Sequence, residues 1–180
     1  MQGDELLSGI AKDRSIICEV GFGMGDWLLQ EAKKHPKDFY IGIDVYRPGI
    51  GSVLSSVHEL EIENIRVIEG DVVEVFHQIN RPVFSKVVLL FPDPWPKARQ
   101  SKRRLINPEF IARIETVLCP NGMISIVTDS QSYSEQIQDA FSNANFCSLD
   151  INQHTLHLNT KYFKKFQSKR PFIHLYKWLS

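Results

Sequence analysis

Acidic side chains recur in this sequence where apolar runs end. The first run leads into Glu19-Val20-Gly21-Phe22-Gly23-Met24-Gly25, a second ends in Asp44, and a third is followed by Asp71. A fourth opens into Phe91-Pro92-Asp93-Pro94-Trp95-Pro96-Lys97, and a fifth ends in Thr128-Asp129. An ionised carboxylate only accepts hydrogen bonds, so a group of them suits a ligand rich in donors or carrying positive charge.

Glycines let a chain turn sharply and let a ligand lie against bare backbone. The spacing here is Gly-x-Gly-x-Gly, whereas a dinucleotide pyrophosphate loop reads Gly-x-Gly-x-x-Gly. Glu19 ahead of the loop repels a pyrophosphate and favours a cationic cofactor such as S-adenosylmethionine. Gly21 and Gly23 are therefore expected to cradle that cofactor, with Glu19 beside it. Asp44 can accept the hydroxyl protons of an adenosine ribose. Asp71 can meet an adenine amino group or simply cap the helix after it. Asp93 is bracketed by prolines, which fix φ and drive the preceding residue out of the right-handed helical region. A stiff, extended loop is expected there, holding one carboxylate and one large aromatic. Trp95 either stacks on a base or packs under the loop.

These positions need a scaffold, and the apolar pattern describes one. Strands are predicted at 16–20, 39–45, 65–68, 86–91 and 123–127, and a late antiparallel strand at 172–178. Helices are predicted at 25–35, 48–60, from Asp71 to residue 79, at 108–118 with Asn107 as cap, and at 131–144. Asn121-Gly122 is expected to turn the chain into the fifth strand. Apolar strands alternating with amphipathic helices imply an α/β protein with a mostly parallel, doubly wound sheet. Ligands of such sheets lie beyond the carboxyl ends of the strands, which is where the acidic residues fall. Residues 1–180 are read as a single domain, with 151–180 a basic C-terminal segment that completes the sheet and the substrate site.

The composition is that of a globular protein: 43% hydrophobic residues, with 21 basic and 21 acidic side chains in 180 residues. Disorder as the main state is excluded. The zero net charge is two opposite halves. Residues 1–96 hold 15 acidic and 9 basic side chains; residues 97–180 hold 6 and 12. Five cations crowd into residues 97–104, and 151–180 carries six cations and no acid. Such asymmetry points to an anionic partner. The three cysteines are far apart in the chain, and the expectation is a reducing cytoplasm with no disulfide framework. No apolar run approaches a membrane span, and the first residues do not read as a secretory signal. His154 and His157 have metal-like spacing but no Cys or acidic partner nearby, so no metal is expected.

The residues quoted above resemble the bacterial tRNA (guanine-N7-)-methyltransferases. The resemblance runs through EVGFGMG, YIGIDVYRPGIGSVL, GDVVEVF, LLFPDPWPKARQSKRRLINPEF, TDSQSYSE and NTKY, nearly the whole chain. FPDPWPK with the Lys-Arg-Arg and Pro-Glu-Phe that follow is its most specific part. The resemblance implies a Rossmann-like class I methyltransferase fold, S-adenosylmethionine as cofactor and tRNA as partner. The methyl acceptor it implies is N7 of a guanine, in the variable loop. It assigns the cofactor to Glu19, Gly21, Gly23, Asp44, Asp71 and Asp93, with Asp93 also catalytic. Lys97, Asp129, Thr160 and Lys161 match substrate-binding positions, and Arg99, Lys102, Arg103 and Arg104 match an RNA-contacting segment. Phe163 stands where the family has a glutamate. Many relatives carry a longer N-terminal arm, so RNA contacts of that arm are expected to be missing or made otherwise.

Guanine N7 has a free lone pair and needs no general base. The expected task is orientation, with the carboxylate of Asp93 beside the positive charge that moves onto the ring. Asp93 or Asp129 can select guanine by accepting from its N1–H and N2–H₂. An RNA-binding protein with this fold but weak or no activity is the alternative reading. A nicotinamide dehydrogenase is a third, opposed by the glycine spacing. Monomer and homodimer both stay open.

Overall fold

The computed structural model describes residues 6–11, 13–150 and 171–179. Seven strands form one sheet: β1 Ile16–Val20, β2 Phe39–Asp44, β3 Ile65–Glu69, β4 Phe84–Leu90, β5 Leu118–Thr128, β6 Phe146–Ser148 and β7 Phe172–Trp178. Their spatial order is β3-β2-β1-β4-β5-β7-β6. The first five strands pair in parallel, and β7 is antiparallel to both β5 and β6. This is the doubly wound α/β sheet with a late antiparallel strand.

The helices that lie wholly within the described residues are α1 Asp26–Lys34, α2 Arg47–Glu59, α3 Val72–His77, α4 Pro108–Val117 and α5 Gln131–Ser142. Side chains alternate across a strand, so the sheet feeds two cores. Ile17 of β1, Tyr40 of β2 and Val88 of β4 join Trp27, Leu28 and Ala32 of α1 and Ile50 and Val53 of α2. Cys18, Val20, Ile41 and Leu89 point to the other side, against α3, α4 and α5. Burying one such Leu or Val fully contributes ~1.5–3 kcal/mol, and Leu28, Val53, Val87, Val88 and Leu89 are all fully buried.

The chain winds outward from β1 to β3, then returns to place β4 on the other side of β1. That reversal makes the carboxyl ends of β1 and β4 the switch point, where an open sheet leaves a crevice.

Two helices start at the capping residues expected for them, and Ser130 and Asn64 close two further helix ends. Asp71 accepts from the Val73 amide at 2.8 Å, and Asn107 from the Phe110 amide at 2.9 Å. Ser130 caps α5 through the Tyr133 amide. The buried Asn64 amide group donates to the carbonyls of Ala32, His35 and Asp38 and so closes the end of α1.

Three details differ from the expectation. Asn121-Gly122 does not precede the fifth strand but lies within β5, with Asn121 at φ +61°. The turn signal is absorbed as a register shift: Leu118 pairs with Phe84, and Met123 with Lys86. A 3₁₀ helix at Ala98–Arg103 and the short β6 were not anticipated. The first lacks apolar periodicity, and the second is defined by its pairing with β7.

Candidate active site

Gly21, Gly23 and Gly25 all have positive φ, and the loop they form leads from β1 into α1. A Cβ added at Gly21 or Gly23 meets no atom within 4 Å, so the space beside this backbone is open. Gly49 of α2 holds the loop from behind. A Cβ there would collide with the Gly23 carbonyl, so α2 sits against the loop only because residue 49 is glycine.

Two cavities meet along this loop. One, of about 410 Å³, is lined by Asp44, Asp71, Asp93, Trp95 and Arg103. The other, of about 660 Å³, is lined by Glu19, Gly23, Asp26, Trp27 and Ser52. Gly21, Leu90 and Phe91 line both. The structure thus brings four of the expected carboxylates, from the ends of β1 to β4, around two adjoining cavities at the switch point.

Each carboxylate has its own setting. Glu19 follows Ile17 on the α1 side of the sheet and is only 3% exposed. Burial, then the nearby Asp44 charge, pushes its pKa up to about 8, against a hydrogen bond from the Leu28 backbone amide. Its Oε2 has no partner among the described residues, and neither does the Trp27 indole N–H lining the same cavity. Buried polar atoms are normally paired, so an unmatched acceptor and an unmatched donor in one cavity mark a place for a polar ligand. Asp44 accepts from the Gly23 amide at 2.7 Å and the Tyr46 amide at 2.9 Å, one bond to each oxygen. Asp71 is both helix cap and cavity wall.

The proline loop corrects one expectation. It is not extended throughout: Phe91 and Trp95, each followed by proline, have φ +53° and +40°. Proline bars the right-handed helical region to its predecessor, and a chain that must turn there passes through positive φ instead. Asp93 is exposed at the middle of the loop. Trp95 is neither core nor free: it lines the cavity, and the Arg103 guanidinium lies over its ring, 4.9 Å from the centroid.

Lys97, Arg99, Lys102 and Arg103 are exposed beside the loop, and Asp129 is exposed at the end of β5. Lys97 and Asp129 do not line the cleft. Arg104, expected to face phosphates with its neighbours, is instead 6% exposed. Its guanidinium is taken up by the Pro94 carbonyl and by groups of α5. The chain leaves the 3₁₀ helix at this residue, which turns its side chain inward. Thr160 and Lys161, like His154, His157 and Phe163, lie outside the described residues. Among the described residues no group of three or more His, Cys, Asp or Glu side chains could hold a metal. None of their helices is long and apolar enough to cross a membrane.

Sequence reasoning missed the Trp27 indole and the Arg103–Trp95 stack. Neither leaves a spacing signal, since each depends on two elements meeting.

Residues 13–174 match the model of the protein family described as "Putative methyltransferase". A tRNA (guanine-N(7)-)-methyltransferase of Nitrosococcus oceani is 46% identical over 127 residues, 70% of this chain and 54% of that protein. One from Nitrosospira multiformis is 46% identical over 125 residues, 69% of this chain and 55% of that protein. The chain spans about half the length of the curated relatives it matches. Among solved structures, the aminoglycoside resistance methyltransferase NpmB1 superposes with a TM-score of 0.70 at 17% identity, over 99% of this chain and 94% of that one. A 30S ribosomal A1408 methyltransferase from an uncultured bacterium gives 0.66 at 20% identity, over 100% and 94%. The fold is that of the class I methyltransferases, and the chain belongs to the bacterial tRNA (guanine-N7-)-methyltransferase family.

Proposed function

We propose that this protein transfers a methyl group from S-adenosylmethionine to N7 of a guanine in tRNA, in the variable loop, in the cytoplasm. The observation that carries the reading is the cleft at the switch point, with its four carboxylates and the unpaired, buried Oε2 of Glu19. The residues present fit a cationic nucleoside cofactor. The loop at Gly21 and Gly23 is open to a ligand. The unpaired Glu19 oxygen matches a donor, the Trp27 N–H matches an acceptor, and Asp44 and Asp71 offer acceptors at the other end of the cleft. The cofactor supplies an activated methyl group on a positively charged sulfonium.

The chain's own residues divide the work between cofactor, base and phosphates. Gly21, Gly23, Asp44 and Asp71 bind, and Glu19 supplies negative charge on the α1 side. Asp93 lines the cavity that Asp44 and Asp71 also line, and its carboxylate opposes the positive charge that develops on the guanine ring. No proton has to be removed from N7, so no residue acts as base there. Asp93 or Asp129 accepts from guanine N1–H and N2–H₂, which adenine does not offer in that pattern. Lys97, Arg99, Lys102 and Arg103 meet phosphates and position the RNA without reading its sequence. Thr160 and Lys161 add substrate contacts from the basic segment 151–180, which completes one domain with the rest.

The test is methyl transfer from tritiated S-adenosylmethionine to tRNA lacking the modification, followed by mapping of the labelled nucleotide. Sustained turnover yielding N7-methylguanine at one variable-loop position is the expected result. Binding of tRNA with no turnover would instead leave an RNA-binding protein on a methyltransferase fold.

A further inference from the structure

Arg104 ends a basic run but shares none of its exposure. Nε donates to the Pro94 carbonyl at 2.7 Å. Nη1 donates to the Ser132 carbonyl at 3.0 Å and to Gln136 Oε1 at 2.9 Å, and Nη2 to Ser132 Oγ at 2.9 Å. The guanidinium also lies over the Tyr133 ring, 5.0 Å from its centroid. All four acceptors are neutral, and a buried charge is costly to hold without a counter-charge. A well-packed apolar side chain would fill this space more easily, so what the arginine contributes is geometry. Its planar fork joins two segments that are distant in sequence.

One of these segments is the loop that carries Asp93. The other is the first turns of α5, whose cap, Ser130, directly follows Asp129. Arg103 adds to the hold on the loop. Consecutive arginines grip consecutive loop residues, Arg104 at the Pro94 carbonyl and Arg103 at the Trp95 ring. The loop needs such holding, because Phe91 and Trp95 sit at positive φ, a conformation that persists only where the surroundings over-determine it.

We propose that Arg104 is a positioning residue that locks the Asp93 loop to the head of α5 and so fixes Asp93 and Asp129 relative to each other. It touches neither cofactor nor RNA. The kinetic part of this inference rests on the methyl-transfer reading above.

The test uses Arg104→Lys in the full chain, which keeps the charge and removes the fork. The expected result is a kcat lowered at least 30-fold, with the tRNA KM and the calorimetric cofactor Kd each changed less than threefold. Amide hydrogen exchange is expected to speed up at Asp93, Trp95 and Lys97 and at residues 130–134 together, ahead of the rest of the chain. Phe141→Leu, a core change on α5 away from the fork, serves as the stability control; it is expected to lower the thermal midpoint and leave kcat alone. Ser132→Ala removes one acceptor and is expected to lower kcat three- to tenfold in the same manner; it decides the matter if Arg104→Lys does not fold. Unchanged kcat and exchange would overturn the proposal, as would exchange that rises uniformly in step with a falling thermal midpoint. If the unaltered protein transfers no methyl group, the functional reading fails by itself, and the paired exchange response still decides whether Arg104 joins the two loops.

Discussion

The Asp44 carboxylate accepts a 2.7 Å hydrogen bond from the Gly23 amide and so ties the turn after β2 to the glycine loop after β1. Its other oxygen accepts from the Tyr46 amide at the start of α2. One side chain therefore sets the shape of the loop and still presents lone pairs to the cleft. Asp44→Asn puts an N–H₂ group against one of these two amides. We expect a loss of about 2 kcal/mol of thermal stability and a cofactor Kd at least tenfold higher, measured by denaturation and calorimetry on the same preparation. Equal affinity in the two proteins would mean that the loop shape does not depend on this bond.

The buried Glu19 predicts two opposite pH responses. Its pKa is raised from the ordinary 4.5 to about 8 in the folded protein, by burial first and by Asp44 second. The folded state thus binds the proton more tightly than the unfolded chain. That contribution is complete below pH 4.5 and disappears as pH rises through 8, by up to about 1.4 kcal/mol per unit. Stability of the free protein should therefore fall between about pH 5 and 8 more steeply than in Glu19→Gln. Binding of a cationic cofactor runs the other way, because it favours the ionised carboxylate. Affinity should rise with pH, level off above about 8, and release a proton below it. Glu19→Gln should show weaker and pH-independent binding. Titration calorimetry in two buffers of different ionisation enthalpy measures the proton directly.

The fold was legible because each parallel strand is an apolar run and two of the helices announce their starts with capping residues that the structure uses, Asp71 and Asn107. The carboxylate cluster was legible for a related reason: residues at strand ends share one edge of a parallel sheet, so Glu19, Asp44, Asp71 and Asp93 had to meet. Arg104 was not legible. In sequence it is indistinguishable from Arg103, and only the placement of α5 beside the proline loop decides that one guanidinium faces out and the other in. The backbone at Phe91 and Trp95 was hidden in the same way. Proline excludes one region for its predecessor, but the direction in which the chain must leave β4 selects among the rest.

Asp93 is exposed, which makes it a usable probe of chemistry. Asp93→Ala should cost less than about 0.5 kcal/mol of stability and leave cofactor binding detectable. Removing a group aimed at developing charge typically lowers the rate ~10²–10³-fold, and single-turnover methyl transfer should fall by that much. Asp93→Asn keeps the shape and one acceptor but not the charge. A rate for it close to that of the Ala variant would assign the effect to charge, and a rate close to the unaltered protein would remove Asp93 from the mechanism.

The exposed cations make a prediction that separates surface from scaffold. Arg99 and Lys102 are exposed and part of the 3₁₀ helix, none of whose residues is buried. Taking one cation away from a phosphate should lower the slope of log K against log salt by ~0.7–0.9. Arg99→Ala with Lys102→Ala should therefore flatten the salt dependence of tRNA binding by up to about two units and leave the melting temperature unchanged. Arg104→Ala should do the reverse. It takes the donor away from the half-buried acceptors of Pro94 and Gln136 and from Ser132, at about 1–3 kcal/mol in all, while the salt slope stays as it was. Filter binding between about 50 and 200 mM salt, run beside thermal denaturation, distinguishes the two. A slope that flattened with Arg104→Ala alone, without a fall in stability, would return that residue to the RNA surface.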